Sequence, residues 1–412
     1  MILNTISPKS FFKMDNKIQN YDWGSRTAIQ GLFGFANDKQ QPQAEVWMGT
    51  HPNGCSMIKQ GDDSISLSDL IKPNPSAFLS QNTSNIYGEL PFLFKILAAD
   101  KALSIQVHPN KQDAEQGYAN EQKLGIPLGA FNRNYKDSNH KPELVYALTD
   151  YQAMNGFRPF NEIIDAFKQC GIPEISEYLA QFERNPNQEG LCTFFVELLS
   201  MQEERKTNAL DHLLSYAASN NTCATCELIF SLSRQYPNDV GLFAPFLLNV
   251  ITLNAGEAMF LSARTPHAYI KGTGLEIMAN SDNVLRAGLT PKHMDVEELV
   301  KCTDFIPKSI NSLLTHAEIK GCEHHFPVPV QDFKFSIYRA PKQQPVQMSS
   351  AEILMPIDSD LTLYADSGET LILGKGQSAF VPAYVNQYTI SSEGRVARAF
   401  NGYKSLNIHD FN

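Results

Sequence analysis

The order of apolar and polar positions divides the chain into segments of three kinds. Residues 1–155 consist mainly of short runs with β-like alternation, separated by turns. A period of two is typical of half-buried strands, so the start of the chain is predicted to be rich in sheet. The clearest runs are Ala44–Gly49, Pro91–Leu97 and Ala102–His108. Short helices are expected between strands at residues 64–80 and 111–124.

The pattern changes near Phe160, where apolar residues begin to recur at helical spacing. Leu191, Phe194, Phe195, Leu198 and Leu199 follow the i, i+3, i+4, i+7, i+8 order of one helix face. This periodicity predicts a small helical domain that contributes packing, or covers one end of a site, and contains no catalytic residue. The predicted helices are 161–170, 174–183, 190–202, 207–218 and one or two within 223–248.

Strand-like alternation returns at Asn249 and dominates residues 325–412, with a helix expected at 290–302. Closely spaced short strands with glycine turns favour a β-sandwich or jelly roll. The run from Gly256 to Tyr269 resembles the run from Gly376 to Tyr384, but the second has no histidine after its proline. Duplication with loss of a ligand and chance similarity both explain this likeness.

Composition narrows the function classes. Hydrophobic content of 42% and charged content of 19% fit a soluble globular protein. No apolar run is long enough to span a membrane, and from the polar character of its first residues we expect no secretory signal. The net charge of −10 argues against nucleic acid as a partner, although a local basic pocket can still bind a small anion.

The chain contains seven cysteines, which is an odd number, and it is long enough to bury a core of its own. Both facts favour free thiols in the cytoplasm over a disulfide framework. Cys223 and Cys226 have the spacing of a zinc knuckle or a redox pair. No second CxxC motif completes a four-cysteine site, and the flanking residues look helical. We therefore interpret them as two unpaired cysteines on a helix.

Gln106 and His108 stand two residues apart in a β-like run, so both side chains leave the strand on one face, while Ile105 and Val107 leave it on the other. Two inward polar side chains are costly unless they are satisfied. A metal ion would satisfy both, and so would hydrogen bonds within the core. The strand alone leaves these alternatives open.

Two further positions favour the metal. Glu143 begins an apolar strand, and His267 directly follows Pro266. Together with Gln106 and His108 they offer a mixed nitrogen and oxygen set, which suits a borderline divalent ion such as zinc. One carboxylate against Zn²⁺ leaves a net charge of about +1, a centre that can accept a polarised carbonyl or enediolate oxygen.

Blocks of sequence from residue 21 to residue 292 follow the order of a known family. They are Tyr21–Gly24, Ala44–His51, Leu90–Lys95, Lys101–Pro109, Tyr135–Glu143, Asn155–Pro159, Pro266–Tyr269 and Asn280–Lys292. In this respect the chain resembles the type I phosphomannose isomerases. The helical stretch and the last hundred residues match that family only in general character.

This resemblance implies a mainly β fold with an α insertion, made of cupin-type jelly-roll barrels, one catalytic and one C-terminal, and a helical domain. The implied boundaries are 1–158 with 249–325 for the catalytic barrel, 159–248 for the helical domain and 326–412 for the C-terminal jelly roll. The resemblance also implies one zinc ion per chain, held by Gln106, His108, Glu143 and His267.

The implied reaction is the reversible conversion of mannose 6-phosphate to fructose 6-phosphate, at the entry to GDP-mannose synthesis or to glycolysis. It moves a proton between C1 and C2 through a cis-enediol and needs a base with a tuned pKa. By position the candidates are Glu276, Lys141, His140 and Asp282. The choice among these four stays open.

The resemblance also marks Arg286 as an active-site residue, and its planar donors suit an enediolate or a phosphate. Lys292, Ser104 and Lys95 are candidate contacts for phosphate or sugar. Glu45 is a candidate for a sugar hydroxyl or for supporting a metal ligand. Ordinary polar packing is the alternative for each of these four.

Two other functions fit a metal-binding cupin. An iron-dependent oxygenase would usually carry more histidines or a two-histidine, one-carboxylate face, which Gln106 and the segment around Arg286 do not match. A non-catalytic sugar-binding cupin would not need Lys141, Glu276 and Arg286. The expected partner is thus a small sugar phosphate, with no nucleic acid and no membrane, in a monomer or weak oligomer.

Overall fold

The computed structural model describes residues 8–402, which form two compact units. The first comprises the described residues of Met1–Ala98, Leu275–Asn280 and Thr315–Asn412. The second comprises Ala99–Gly274 and Ser281–Leu314. The domain boundaries expected from the sequence are not tested by this division and stay a prediction.

Most of the described secondary structure is β. The strands are β1 (Phe12–Asp15), β2 (Lys17–Gln19), β3 (Glu45–Met48), β4 (Met57–Gln60), β5 (Asp63–Ser66), β6 (Phe92–Ala99), β7 (Gln106–Val107), β8 (Glu143–Ala147), β9 (Tyr151–Phe157), β10 (Leu248–Leu253), β11 (Ala258–Leu261), β12 (His267–Ala279), β13 (Leu285–Arg286), β14 (Glu318–Lys320), β15 (Glu323–Phe326), β16 (Lys334–Arg339), β17 (Gln344–Gln347), β18 (Glu352–Pro356), β19 (Leu361–Ala365), β20 (Thr370–Leu373), β21 (Ser378–Val381), β22 (Gln387–Ser392) and β23 (Arg395–Phe400).

Most of the longer helices lie in the middle of the chain. The α-helices are α1 (Ala28–Phe33), α2 (Leu67–Ile71), α3 (Pro75–Leu79), α4 (Gln81–Tyr87), α5 (Lys111–Lys123), α6 (Phe160–Cys170), α7 (Ser176–Arg184), α8 (Gln188–Leu199), α9 (Glu203–Ser219), α10 (Ala224–Gln235), α11 (Ala244–Leu247) and α12 (Val296–Lys301). Short 3-10 helices are Pro173–Ile175, Val240–Phe243, Ile310–Ser312 and Ala383–Val385. Within residues 8–402 no helix has the length and apolar character that a bilayer crossing requires.

The first unit contains a β-sandwich. Nine antiparallel strands follow the order β14-β15-β16-β23-β18-β21-β1-β4-β5, and four more follow β17-β22-β19-β20. Side chains from both sheets share one apolar cluster, as in Leu354 of β18 and Leu363 of β19. Two sheets that bury their inner faces against each other make a jelly-roll sandwich, with open edges in the described part rather than a closed barrel.

The second unit combines strands with the helical insertion. Strand β9 lies between β10 and β12, and β8 pairs with β11. Helices α6 to α10 match the predicted helices to within a few residues, and the apolar face of α8 is buried as its periodicity requires. Ile105 and Val107 join the same apolar cluster as these helices, which leaves the opposite face of β7 for Gln106. The mainly β fold with an α insertion is confirmed.

Candidate metal centre

Three predicted ligands of the second unit converge. His108, Glu143 and His267 are all buried, and their ligating atoms lie within 4.8 Å of one another. In residues 8–402 no other group of three or more histidine, cysteine or acidic side chains meets in this way. The three come from positions far apart in sequence, so the fold itself assembles the cluster.

Short pairings between strands bring the fourth predicted ligand to the same place. Gln106 on β7 is the direct partner of His267 on β12. On its other side, Gln106 pairs with Arg286 on β13. Side chains directly opposite each other on neighbouring strands are about 5 Å apart at Cβ. Gln106 and Arg286 therefore stand beside the cluster by register.

The geometry around Glu143 leaves its two oxygens facing two imidazoles. Its Oε1 is 3.4 Å from Nε2 of His108, and its Oε2 is 3.5 Å from Nε2 of His267. The ring centres of the two histidines are 5.0 Å apart. Nε2 of His108 has no hydrogen-bond partner among the described residues. An orphaned buried nitrogen next to a carboxylate is what a metal ion would satisfy.

Both histidines are held in the tautomer that a metal needs. Nδ1 of His108 lies 2.7 Å from the carbonyl oxygen of Asn283, and Nδ1 of His267 lies 2.9 Å from that of Thr265. A carbonyl oxygen only accepts, so each Nδ1 donates its hydrogen. In the neutral ring, each Nε2 then has its lone pair available on the side that faces Glu143. This is the usual arrangement of metal-bound histidine.

Charge within the cluster also suits a cation. Burial, followed by the neighbouring Lys141, lowers the pKa of His108 to about 4, so its ring is neutral at physiological pH. Burial alone would raise the pKa of Glu143, but Lys141 and His108 outweigh it and hold that pKa well below the usual range. Nζ of Lys141 is 3.0 Å from Oε1 of Glu143. Neutral imidazoles and an ionised carboxylate are the protonation states in which these groups bind a metal.

A second feature of this unit is a set of cations close enough to influence one another. Burial first, then Arg286 and Lys136, lower the pKa of Lys292. Burial lowers the pKa of Arg286 as well, and Lys136 is shifted in the same direction, mainly by its own burial. Cations that repel one another at a partly buried place are favourable for a bound anion. Lys136 was not singled out from the sequence, since nothing in its local pattern distinguishes it from a surface lysine.

The remaining candidates divide between the units. Ser104, His140 and Asp282 belong to the second unit with the cluster. His140 directly precedes Lys141 in the loop that leads into β8. Asp282 is exposed, and its backbone N–H donates to Oδ2 of Asp137 at 2.8 Å. These positions are compatible with the predicted roles, which stay predictions.

Glu45, Lys95 and Glu276 form a buried ion network in the first unit. Nζ of Lys95 is 2.8 Å from Oε2 of Glu276 and 3.5 Å from Oε1 of Glu45. Nε1 of Trp47 donates to the other oxygen of Glu45 at 2.7 Å. Trp47 is buried against Leu93 and Met278, as core packing requires. One lysine and two carboxylates give these three residues a net negative charge. Carboxylate oxygens accept hydrogen bonds, so this network suits contact with sugar hydroxyls.

Three family models match most of the chain. Residues 11–160 match the phosphomannose isomerase type I catalytic domain. Residues 172–248 match the helical insertion domain of phosphomannose isomerase type I, and residues 322–401 match the mannose-6-phosphate isomerase cupin domain. The helical stretch and the C-terminal region, which the sequence tied to this family only by general character, are thus matched specifically.

Individual relatives match this chain over most of their length. The mannose-6-phosphate isomerases of Salmonella typhimurium and Escherichia coli are 47% identical over 391 residues, which is 94% of this chain and 99% of theirs. The human mannose-6-phosphate isomerase is 34% identical over 408 residues, covering 90% of this chain and 93% of its own.

Solved structures extend the likeness to the fold. The Salmonella typhimurium mannose 6-phosphate isomerase bound to its substrate, fructose 6-phosphate, and to zinc superposes with a TM-score of 0.90 at 47% identity, covering 96% of this chain and all of that one. A zinc-bound mannose 6-phosphate isomerase gives a TM-score of 0.91 at the same identity and coverage.

Proposed function

The chain belongs to the type I phosphomannose isomerase family, and we propose that it interconverts D-mannose 6-phosphate and D-fructose 6-phosphate with one zinc ion per chain. The observation that carries this proposal is the buried cluster of His108, Glu143 and His267, with both Nδ1 atoms already donating to carbonyl oxygens. Relatives that match over almost their full length are mannose-6-phosphate isomerases, and one was solved with fructose 6-phosphate and zinc.

We assign zinc to Gln106, His108, Glu143 and His267. The first supplies an amide oxygen, the histidines supply nitrogens, and Glu143 supplies the negative charge. When bound, zinc provides a Lewis acid that polarises a sugar oxygen and orders the substrate. Lys141, 3.0 Å from Glu143, keeps that carboxylate ionised, and we place it next to the bound sugar.

The proton moves between C1 and C2 of the sugar through a cis-enediol, which requires one base and one group that tolerates negative charge on oxygen. We assign the base to the set Lys141, His140, Glu276 and Asp282 without choosing among them. Arg286 is assigned to the developing enediolate, because a guanidinium keeps its proton even where burial lowers its pKa. Its pairing with Gln106 holds it beside the metal ligands.

The phosphate is assigned to the cations of the second unit. Lys292 and Lys136 lie near Arg286: beyond the effect of burial, Arg286 lowers the pKa of both lysines, and Lys136 lowers that of Lys292. A phosphate of charge close to −2 would relieve that repulsion. Ser104 is a further candidate donor to the phosphate or sugar, and Lys95 with Glu45 is assigned to sugar hydroxyls.

In metabolic terms the reaction either supplies mannose 6-phosphate for GDP-mannose synthesis or passes mannose to glycolysis, and we place it in the cytoplasm. We also propose a monomeric or weakly oligomeric state. Fructose 6-phosphate and mannose 6-phosphate are small anions, which a local cluster of cations can bind despite the chain's net charge of −10.

One assay tests the proposal directly. Purified protein is supplied with mannose 6-phosphate, and fructose 6-phosphate is detected by coupled enzymes before chelation, after chelation, and after zinc is added back. We expect activity to disappear with chelation and to return with zinc. Full activity in a preparation shown to be metal-free would refute zinc dependence. No isomerisation together with oxygen uptake would favour the oxygenase, and zinc binding without turnover would favour a sugar-binding cupin.

A further inference from the structure

Asn283 is fully buried, and both polar atoms of its side chain are engaged. Its Oδ1 accepts from the backbone N–H of Lys136 at 2.7 Å and from that of Asp137 at 3.3 Å. Its Nδ2 donates to the carbonyl oxygen of Asp137 and to that of Asn139, each at 2.8 Å, and to Oδ1 of Asp137 at 3.2 Å. One side chain thus fastens an irregular loop at three residues.

The backbone of the same residue contacts a proposed metal ligand. The carbonyl oxygen of Asn283 accepts from Nδ1 of His108 at 2.7 Å. The loop that the side chain holds continues through Lys141 into Glu143, the carboxylate of the cluster. Asn283 is therefore joined to His108 by its main chain and to the segment that carries Lys141 and Glu143 by its side chain.

Neighbouring residues strengthen this connection. Oγ of Ser281 donates to Oδ1 of Asp137 at 2.9 Å and accepts from the backbone N–H of Asn283 at 3.1 Å. Ser281, like Asn283, is buried. Because buried polar groups are costly to leave unpaired, the two segments are locked in one relative position.

We propose that Asn283 is a positioning residue that sets His108 and the loop from Lys136 to Lys141 in a single geometry. This inference rests on the proposed function and assigns the residue no contact with substrate. Partners of metal-bound histidines orient the ring, and their loss commonly weakens metal affinity by about 10–100-fold. Here the partner is a backbone carbonyl, and the side chain of the same residue determines where that carbonyl lies.

The test measures zinc affinity alone, by competition with a chromogenic chelator and without any sugar. In Asn283→Ala the carbonyl remains but its anchor to the loop is lost, so we expect zinc to bind about 10–100-fold more weakly. Ser281→Ala removes only the flanking hydrogen bonds and should give a smaller loss of the same kind. Should Asn283→Ala not fold, Ser281→Ala decides, and wild-type zinc affinity in that variant would overturn the proposal.

Asn401→Ala is the matched control. Asn401 is as fully buried as Asn283, lies in the first unit, and donates from Nδ2 to Oγ1 of Thr83 at 3.0 Å. Its loss should lower the thermal stability and leave zinc affinity unchanged. If Asn283→Ala also lowered stability with unchanged zinc affinity, its role would be purely structural, and the inference would be wrong.

A second readout separates this inference from the proposed function. At saturating zinc, Asn283→Ala should show a reduced kcat with a smaller change in KM, because the loop bearing Lys141 stays misplaced even when the metal is restored. Unchanged kcat at full zinc occupancy would contradict the predicted role of the loop. Wild-type protein that bound no zinc, or bound it without isomerising the sugar, would instead refute the proposed function.

Discussion

Two buried glutamates, one in each compact unit, have their charges compensated in different ways. In the first unit Glu352 on β18 is fully buried and accepts from Nε of Arg398 at 2.9 Å and from the hydroxyl of Tyr388 at 2.7 Å. Arg398 also contacts its other oxygen through Nη2. In the second unit Glu143 on β8 faces His108 and His267.

The difference lies in the charge that each partner supplies. An arginine is always charged, so Glu352 and Arg398 form a neutral pair whose oxygens are already satisfied. The neutral ring of His108 brings no charge, and Lys141 reaches only one oxygen of Glu143. A buried carboxylate in a β fold can thus be neutralised by a cation of the same chain, or it can remain able to bind a divalent ion.

The repeated sequence pattern fits this contrast. Pro266 precedes His267 in the run that contributes to the metal cluster, whereas Pro382 precedes Ala383 in the similar run of the first unit. In the described residues the first unit has no cluster of three metal-binding side chains. Duplication and chance similarity both still explain the likeness of the two runs. The second run belongs to the sandwich that contains the buried pair of Glu352 and Arg398.

The largest expected effect comes from removing a proposed metal ligand next to Glu143. His267→Ala should lose zinc and reduce kcat by on the order of 10³-fold or more, because the metal's charge stabilisation is worth several kcal/mol. Zinc per chain by elemental analysis and turnover in the coupled assay measure both. His325→Ala is the control, since this half-buried histidine of the first unit contacts Ser336 and should leave zinc unchanged. Full zinc occupancy in His267→Ala would remove this residue from the ligand set.

Replacing Glu352, which is paired with Arg398, is expected to change stability instead. Glu352→Gln leaves the buried Arg398 with only the partly exposed Glu323, 3.5 Å away, as a counterion. We therefore expect up to about 3–5 kcal/mol less stability, measured by denaturant unfolding. Zinc per folded chain should stay at the wild-type level.

Replacing both partners tests the reason for that loss. Glu352→Leu combined with Arg398→Met removes both charges and should restore most of the stability, because uncharged side chains of similar volume often match a buried pair. A double variant as unstable as Glu352→Gln would show that shape or the hydrogen bonds of Tyr388, rather than the unpaired charge, account for the loss.

The sequence predicted those features that depend on local pattern. Periodicity located α5 and the helices of the insertion, and spacing on one strand put Gln106 and His108 on one face. Within the helical stretch expected at 64–80, residues 64–66 belong to β5, and the helical part is divided into α2 and α3 by a break at Pro73 and Pro75. Proline disfavours helical backbone in the residue before it, so the helix breaks there. Helix α4 was missed because its sequence, Gln81–Tyr87, is polar and without clear periodicity.

Features that depend on distant contacts were predicted only where the family resemblance named them, as it named His108, Glu143 and His267. Asn283 stood in a block that matched the family, yet its side-chain hydrogen bonds reach residues 144 to 147 positions earlier in the chain. The pKa of Lys136 is lowered in part by Arg286, and Lys136 lowers that of Lys292; both partners are similarly remote in sequence. Sequence spacing orders side chains along one element, but it does not state which elements meet. Either the fold or the resemblance to a known family supplies that information.

A smaller effect is expected for the cations that we assign to phosphate. Unlike Arg398, which is neutralised by Glu352, Lys292 should be neutralised by the substrate. Lys292→Ala should raise KM about tenfold with a smaller change in kcat, since an exposed lysine contributes on the order of 1.4 kcal/mol to a phosphate contact. Lys168→Ala is the control, because Lys168 pairs with Glu183 on the surface of the helical insertion. An unchanged KM would exclude Lys292 from phosphate binding.

The smallest expected effect concerns a carboxylate paired with arginine at the surface. Asp358 is 42% exposed and accepts from Nε of Arg395 at 2.7 Å, so it shares the pairing of Glu352 but not the burial. The hydrogen bond from Arg395 lowers the pKa of Asp358 below its usual range. A carboxyl whose pKa is lowered by folding stabilises the protein above its unfolded pKa of about 3.9, and that contribution is lost as the pH falls through the folded value.

Asp358→Asn should therefore reduce stability at pH 7 by about 0.2–1 kcal/mol, because water and salt screen an exposed pair. The difference from wild type should stay constant down to about pH 5 and shrink below about pH 4, when the wild-type carboxyl itself becomes neutral. Denaturant midpoints of the two proteins across this range measure it. A loss as large as that of Glu352→Gln would mean that pairing with arginine, rather than burial, sets the energy of these carboxylates, and the contrast between Glu143 and Glu352 would then need another explanation.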